Sequence, residues 1–195
     1  MTNAKFRLLE DDIIEVWERK LYRIESLEDF ANVQKGDKGG YLEKEENLAT
    51  TGDAWVFGNA RVSGNAEVFG NARVSGNARV SGNAEVSGNA WVSGDAEVFG
   101  NAWVSGDAWV FGNARVSGNA EVFGNADLIA IYPIGSESGI LTAFKNKEGK
   151  ISVTRGCFAG TLEEFAVAVE KTHGDNNHAK SYRIAIELIK SRLEE

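Results

Sequence analysis

The feature that most constrains this chain is a six-residue repeat. From Gly52 to Ile129 the sequence repeats Gly-Asn/Asp-Ala-x-Val-x through 13 consecutive units without insertion or deletion, with Leu128 in the last valine position. A β-branched residue in every unit favours short extended strands. Each Gly-Asn or Gly-Asp pair marks a turn, because both residue types tolerate positive φ. The repeat predicts one short strand and one sharp bend per unit, and it argues against a helix, in which each glycine would cost about 1 kcal/mol.

Thirteen uninterrupted units of this kind resemble the hexapeptide-repeat proteins, which fold as left-handed parallel β-helices. The resemblance implies a mainly β fold in which three units form one triangular coil of 18 residues, with the valine and alanine side chains inside. The 78 residues of the repeat then give 78/18, or about 4.3 coils. The left-handedness comes from the resemblance and not from the repeat arithmetic.

The repeat divides the chain into three predicted segments. Residues 1–51 are expected to form an N-terminal cap and a degenerate first coil that includes Leu42 and Leu48, residues 52–129 the β-helix, and residues 130–195 a C-terminal module. A cap is needed because an open solenoid end exposes unpaired strand edges and core side chains.

Local patterns predict elements within the two flanking segments. In the cap, residues 21–24 are typical of a strand, and residues 35–41 of a tight glycine turn. In the C-terminal module, residues 140–144 and 151–154 predict a β-hairpin. A capping-box pattern at residues 161–164 predicts the start of a first helix, and a second is expected from about residue 177. We therefore expect a small ββαα module after the β-helix.

Short motifs outside the repeat resemble uncharacterised phage and prophage hexapeptide-repeat proteins. These motifs are Gly36-Asp37 and Gly39-Gly40-Tyr41 before the repeat, and Gly156-Cys157-Phe158-Ala159-Gly160-Thr161 and His173-Gly174-Asp175-Asn176 with His178-Ala179 after it. The resemblance covers nearly the whole chain. It implies a phage-type protein with a host-directed role and carries no established activity.

The 18-residue register sorts the outward positions into three flat faces. Face one carries Trp55, Arg73, Trp91, Trp109 and Asp127, flanked by Phe57, Ser75, Ser93, Phe111 and Ile129. Face two carries Arg61, Arg79, Glu97 and Arg115, and face three carries Glu67, Glu85, Trp103 and Glu121.

Face one forms an aromatic stripe where solvent is expected. Such a stripe indicates a subunit interface, a site for an external partner or ligand, or a surface that the C-terminal helices cover. Arg73 is placed to stack on Trp55 and Trp91. The candidate binding residues are Trp55, Phe57, Arg73, Trp91, Trp103, Trp109 and Phe111.

Faces two and three stack like charges, which destabilises a sheet unless something neutralises them. Hexapeptide-repeat proteins commonly form parallel homotrimers in which different faces meet. We therefore expect a trimer, with Arg61, Arg79 and Arg115 paired to Glu67, Glu85 and Glu121 of the neighbouring subunit. Alternatively, these side chains are solvated or pair around a corner of one chain. The arginines, with tryptophan stacking, would also suit a small nucleotide-like anion held at subunit junctions.

Candidate catalytic groups are few. Many hexapeptide-repeat proteins are acyltransferases that use a histidine on the β-helix as a general base, but this chain has no histidine before His173. Cys157, His173, Asp175 and His178 could supply a nucleophile with its base, or zinc ligands. Their spacing matches no metal pattern, and Cys157 beside a phenylalanine is expected to be a small buried residue. We expect no cofactor, no metal and no catalysis.

Charge and composition limit the partners. The formal net charge of −8 argues against binding to nucleic acid or to an anionic membrane. A single cysteine excludes an internal disulfide framework. The sequence contains no apolar run long enough for a bilayer, and its first residues do not resemble a signal peptide, so a cytoplasmic protein is expected, in the host cell if a phage encodes it.

These observations favour a non-catalytic, phage-type β-helix binding or scaffold protein. It would be oligomeric and act on a host protein, as an anti-defence factor would, through its aromatic and arginine-bearing faces. Sequestration of a small nucleotide-like anion is the alternative within the binding class, and acyl transfer is the alternative in a different class.

Overall fold

The computed structural model describes residues 5–16 and 18–194 of the chain. Their strands are β1 (Phe6–Val16), β2 (Arg19–Ser26), β3 (Lys38–Leu42), β4 (Trp55–Val56), β5 (Arg61–Val62), β6 (Glu67–Val68), β7 (Arg73–Val74), β8 (Arg79–Val80), β9 (Glu85–Val86), β10 (Trp91–Val92), β11 (Glu97–Val98), β12 (Trp103–Val104), β13 (Trp109–Val110), β14 (Arg115–Val116), β15 (Glu121–Val122), β16 (Leu128–Ile134), β17 (Gly139–Lys145), β18 (Ile151–Arg155) and β19 (Phe158–Thr161). The helices are a 3-10 turn at Glu45–Asn47, α1 (Leu162–His173) and α2 (Asn177–Leu193).

The two-residue strands stack in parallel with the predicted 18-residue register. Trp91 lies between Arg73 on one neighbouring strand and Trp109 on the other. Face one is the sheet β4-β7-β10-β13, face two continues through β3-β5-β8-β11-β14, and face three is β6-β9-β12-β15. The chain is therefore mainly β and contains a parallel β-solenoid of about five turns, which confirms the fold that the resemblance implied, although the repeat alone was expected to give only about 4.3 coils. Its left-handedness stays a prediction.

Valine and alanine of each unit fill the interior of the solenoid, and Val92 and Ala90 are completely buried. The corners depend on glycine. Gly88 has φ +62°, and a Cβ atom added there would lie 2.8 Å from the backbone nitrogen of Gly106 on the next coil. Both the left-handed backbone conformation and the close approach of the coils therefore require glycine at this position.

The N-terminal segment extends the solenoid rather than only covering it. Strands β1 and β2 form an antiparallel hairpin, and β2 pairs with β3, whose Leu42 pairs in parallel with Val62. Leu48 forms an isolated parallel bridge with Val68, in the part of the chain expected to form a degenerate first coil. The glycine turn predicted over residues 35–41 is partly wrong, because Gly39 and Gly40 lie within β3. A Cβ on Gly40 would lie 2.5 Å from the Ala60 carbonyl oxygen, so this glycine allows close packing.

A buried lysine closes the first corner of the solenoid. Lys5 donates hydrogen bonds to the carbonyl oxygens of Gly52 and Ala54 at 2.9 and 2.8 Å, and to that of Ala49 at 3.4 Å. Burial lowers the pKa of Lys5 below its ordinary value. These bonds satisfy carbonyl groups that would otherwise lie unpaired at the end of the coil stack.

The C-terminal module is a four-stranded antiparallel sheet with two helices, where the sequence predicted two strands. The additional strands are β16 and β19. Leu128 and Ile129 of the thirteenth unit belong to β16, which pairs with β17 instead of forming another coil. The predicted capping box is confirmed, since Thr161 and Glu164 each accept a hydrogen bond from the backbone amide of the other.

This module closes the far end of the solenoid. The side chain of Phe144, on β17, is buried in the solenoid core, while the helices pack on the other side of the module's sheet in a second core. Neither helix in the described part of the chain is long and apolar enough to cross a membrane.

The stacking of the glycine corners can be tested with matched alanine variants. Gly88→Ala and Gly112→Ala both place alanine at positive φ, which costs about 1–2 kcal/mol, but an added Cβ meets nothing within 4 Å at Gly112. We expect Gly88→Ala to reduce the free energy of unfolding by about 1–3 kcal/mol more than Gly112→Ala, because it also overpacks the contact between coils. Urea denaturation measures the difference, and equal losses would contradict the stacking of these corners.

Candidate functional site

The aromatic side chains of face one divide into a buried end and an exposed end. Trp55, predicted to be exposed, is only 1% exposed. Phe6 and Phe30 of the N-terminal cap contact its ring edge-on, with ring centroids 6.3 and 5.5 Å away. Trp55 therefore belongs to the hydrophobic core, and its assignment as a binding residue was wrong. Phe57 beside it is half-buried and packs against the same core.

The exposed end forms a continuous surface, which we call the aromatic patch and define as Trp91, Trp109, Phe111 and Tyr132. The rings of Trp91 and Trp109 stack with centroids 5.3 Å apart and planes 7° from parallel. Phe111 lies 5.4 Å from Trp109 and shares a hollow of about 440 Å³ with Tyr132 of β16. The exposed fractions of Trp91, Trp109 and Phe111 are 41, 46 and 52%. The C-terminal helices do not cover this surface. The hypothesis that they cover the aromatic stripe was therefore wrong.

Two other residues assigned to face one have different surroundings. The described residues form cation–π contacts between Lys5 and Phe30, between Arg23 and Tyr41, and between Arg115 and Phe99, but none at Arg73. The expected stacking of Arg73 on its two tryptophan neighbours was therefore wrong, although the strands pair as predicted. Asp127 leaves the column, accepts a hydrogen bond from the backbone amide of Phe123 and pairs with Lys145 at 3.6 Å.

Face three presents an isolated aromatic pair among carboxylates. Trp103 is 41% exposed and contacts Phe123 edge-on at 5.0 Å. Its strand lies between those of Glu85 and Glu121. Glu67 and Glu85 are exposed and adjacent, as the register predicted. Trp103 is therefore separate from the aromatic patch.

On face two, Glu97 lies between two arginines and pairs with both. Its carboxylate is 3.3 Å from Arg79 Nη1 and 3.0 Å from Arg115 Nε. Arg115 also donates to the carbonyl oxygen of Gly156 at 3.0 Å and lies over the ring of Phe99. From the sequence, the carboxylate partners of the face-two arginines were expected on face three of a neighbouring subunit. Within one chain, Glu97 on face two itself pairs with Arg79 and Arg115.

The arginines of face two surround a cavity of about 420 Å³, which we call the arginine groove and define as Arg19, Arg61, Arg79, Glu97, Phe99 and Arg115. Arg19, near the tip of the N-terminal hairpin, pairs with Glu43 at 2.7 Å. Burial acts to raise the pKa of Glu43, but hydrogen bonds from the Gly64 amide and from Arg19 outweigh it and hold that pKa below its ordinary value. The guanidinium group of Arg61 has no hydrogen-bond or ion-pair partner within residues 5–16 and 18–194.

The four C-terminal candidates do not form one site. Cys157 is exposed in the turn between β18 and β19, so the expectation that it is buried was wrong. The rings of His173 and His178 lie 5.9 Å apart, where α1 and α2 meet. Asp175 pairs with Arg183 at 3.1 Å. Among the residues that the structure describes, no three His, Cys, Asp or Glu side chains are placed to hold a metal ion.

Sequence reasoning missed Arg19, Phe99 and Tyr132. Phe99 could have been found, because it is the last residue of the repeat unit that contains Glu97 and therefore flanks face two in the same register. Arg19 and Tyr132 lie outside the repeat, and no local pattern connects them with the face they approach.

The shared role of Glu97 gives a prediction with a matched control. Glu97→Gln removes the counterion of Arg79 and Arg115, so we expect the free energy of unfolding to fall by about 0.5–1 kcal/mol at low salt and by less at 1 M salt. Glu85→Gln changes the same repeat position on face three, where it relieves repulsion from Glu67, and is expected to leave stability equal or higher. Denaturant titrations measure both, and a larger loss in Glu85→Gln would contradict the assignment.

Comparison with known proteins supports the repeat architecture. The family model described as YdcK β-solenoid repeat matches residues 66–82, 72–88 and 78–94, three overlapping windows offset by six residues. A search of curated proteins found no match. The matched windows lie where the parallel strands stack regularly. The matches and the five-turn solenoid together support a β-helix repeat family.

Proposed function

We propose that this protein is a non-catalytic β-solenoid binding protein that holds a protein partner against the aromatic patch. The observation that carries the proposal is the exposure of a stacked tryptophan pair, Trp91 and Trp109, with Phe111 beside it. Contiguous exposed apolar surfaces of this kind mark interaction sites. Tryptophan and tyrosine are also the side chains that most often dominate binding energy at protein interfaces.

The geometry of the patch favours a protein over a small molecule. The patch becomes concave at the hollow that Phe111 and Tyr132 share. An exposed pair of stacked rings beside a hollow suits an apolar side chain anchored in the hollow and a larger surface resting on the rings. The resemblance to phage and prophage proteins makes a host protein the expected partner, and blocking a host defence protein the expected role.

Acyl transfer has less support. The resemblance implies a histidine base on the β-helix, whereas the two histidines of the chain, His173 and His178, lie at the meeting point of α1 and α2. Neither histidine lies on a coil of the solenoid. The exposed side chains of the coils include tryptophan, arginine, glutamate, asparagine and aspartate, which suit recognition better than general-base chemistry at neutral pH.

The binding proposal can be tested with tryptophan variants matched for exposure. Trp91→Ser/Trp109→Ser removes the stacked pair, and Trp103→Ser removes an equally exposed tryptophan on face three, whose indole also donates to a serine hydroxyl. We expect the wild type and Trp103→Ser to capture the same protein from a lysate of the cells that carry the gene, and the double variant to lose it. The interaction is then remeasured with the purified partner, where we expect at least a tenfold loss in the double variant. Equal retention by all three proteins would overturn the proposal.

A parallel homotrimer stays a prediction of the resemblance. Because Glu97 pairs with Arg79 and Arg115 within the chain, Arg61 is the face-two arginine still available to a neighbour's Glu67. We expect light scattering to give three times the chain mass of 21.1 kDa. Arg61→Glu should dissociate the trimer, and Arg61→Glu/Glu67→Arg should restore it. A mass of one chain for the wild type would remove the trimer.

A further inference from the structure

The arginine groove concentrates positive charge on an acidic protein. Four arginines line its cavity, and two carboxylates, Glu43 and Glu97, pair with them, which leaves a formal charge of +2. The chain as a whole carries −8. A positively charged patch on a negatively charged protein attracts negatively charged ligands to that patch. The groove is therefore suited to an anion.

The arrangement of Arg61 and Arg79 is costly without a ligand. They lie directly opposite each other on neighbouring parallel strands, β5 and β8, whose spacing is about 4.8 Å. Like charges in this position destabilise a sheet. Glu97 contacts Arg79 from the far side and does not contact Arg61. An anion bound between the two guanidinium groups would replace this repulsion with charge-assisted hydrogen bonds.

The walls of the groove limit the size of its ligand. Val16 and Leu21 of the N-terminal hairpin close one side, and Ser63 and Ser81 add hydroxyl groups beside the arginines. Arg115, which donates a hydrogen bond to the carbonyl oxygen of Gly156, lines the other end. A cavity of about 420 Å³ lies within the range of small-molecule sites, about 300–1,000 Å³. The dimensions favour a small molecule over a macromolecular surface.

We propose that the arginine groove binds a phosphorylated small molecule, with one phosphate group held between Arg61 and Arg79. A phosphate monoester carries close to two negative charges at neutral pH, which matches the formal +2 of the groove, whereas a carboxylate carries one. Guanidinium groups also match phosphate geometry with two parallel hydrogen bonds. This proposal rests on the proposed function because both assign a binding role to the chain. The arginine groove lies on face two, whereas the aromatic patch lies on face one.

This assignment places the site within one chain and not at a subunit junction. Each wall and each arginine named above belongs to the same molecule. Arg61 is also the arginine that the predicted trimer would pair with Glu67 of a neighbour, and a phosphate in the groove would take the place of that carboxylate. Because a bound anion would relieve the repulsion between Arg61 and Arg79, this repulsion favours anion binding to the empty site.

The proposal is tested by calorimetric titration of the full chain at low salt with pyrophosphate, ADP and adenosine. We expect pyrophosphate and ADP to bind and adenosine, which lacks phosphate, not to bind. Arg61→Gln should weaken binding of both phosphorylated probes at least tenfold. Arg73→Gln is the matched control, because Arg73 occupies the same repeat position on face one, away from the groove, and should leave binding unchanged.

A stability measurement separates lost binding from lost folding. Because Arg61→Gln relieves repulsion from Arg79 within the chain, the ligand-free variant should melt at the same temperature as the wild type or higher when light scattering shows both proteins in the same oligomeric state, while the increase in melting temperature with pyrophosphate should disappear. Absence of binding by pyrophosphate and ADP, equal binding of adenosine, or equal losses in both arginine variants would each overturn the assignment. Each of these failures leaves capture of a protein by the aromatic patch intact, so the two proposals fail separately.

Discussion

Hydrogen bonding between consecutive coils fixes the 18-residue register on which every surface of this molecule depends. The backbone amide of Arg79 donates to the Ala96 carbonyl oxygen at 2.9 Å, and that of Asn83 to Gly100 at 2.7 Å. At the corners, side-chain amides continue the pattern, as Asn83 donates to Asn101 at 3.0 Å. A shift by one residue would turn every valine outward. Glycine at the corners makes this close stacking possible.

A fixed register aligns equivalent side chains in columns. In most folds, residues 18 apart have unrelated surroundings, but here Trp91 and Trp109 are neighbours because they occupy the same repeat position. The same rule places Arg61 beside Arg79. Substitutions at one position of the repeat are therefore enough to build a stacked aromatic surface or a concentrated charge, with no change to the coil that carries them.

The sequence was sufficient to predict the structure that the repeat determines, but it was not sufficient to predict the contacts that the flanking segments make with the solenoid. The strand and turn of each repeat unit and the capping box at Thr161 could be predicted because each depends on local pattern, whereas the columns followed from the resemblance to hexapeptide-repeat proteins. The burial of Trp55 could not, because it depends on Phe6 and Phe30 reaching the open end of the solenoid. It could also not be predicted that the thirteenth unit leaves the solenoid, because Leu128 fits the valine position of the repeat and yet lies on β16, which pairs with β17.

The caps, more than the repeat, turn flat faces into candidate sites. Identical units produce a prism with plane sides, which offers a ligand no concave surface. On face two, the hairpin residues Val16 and Leu21 lie beside the row of arginines and form a groove with it. On face one, Tyr132 of β16 adds the hollow beside Phe111. Specificity therefore depends on where the non-repeating segments meet the columns, and a longer solenoid with the same units would gain surface without gaining a site.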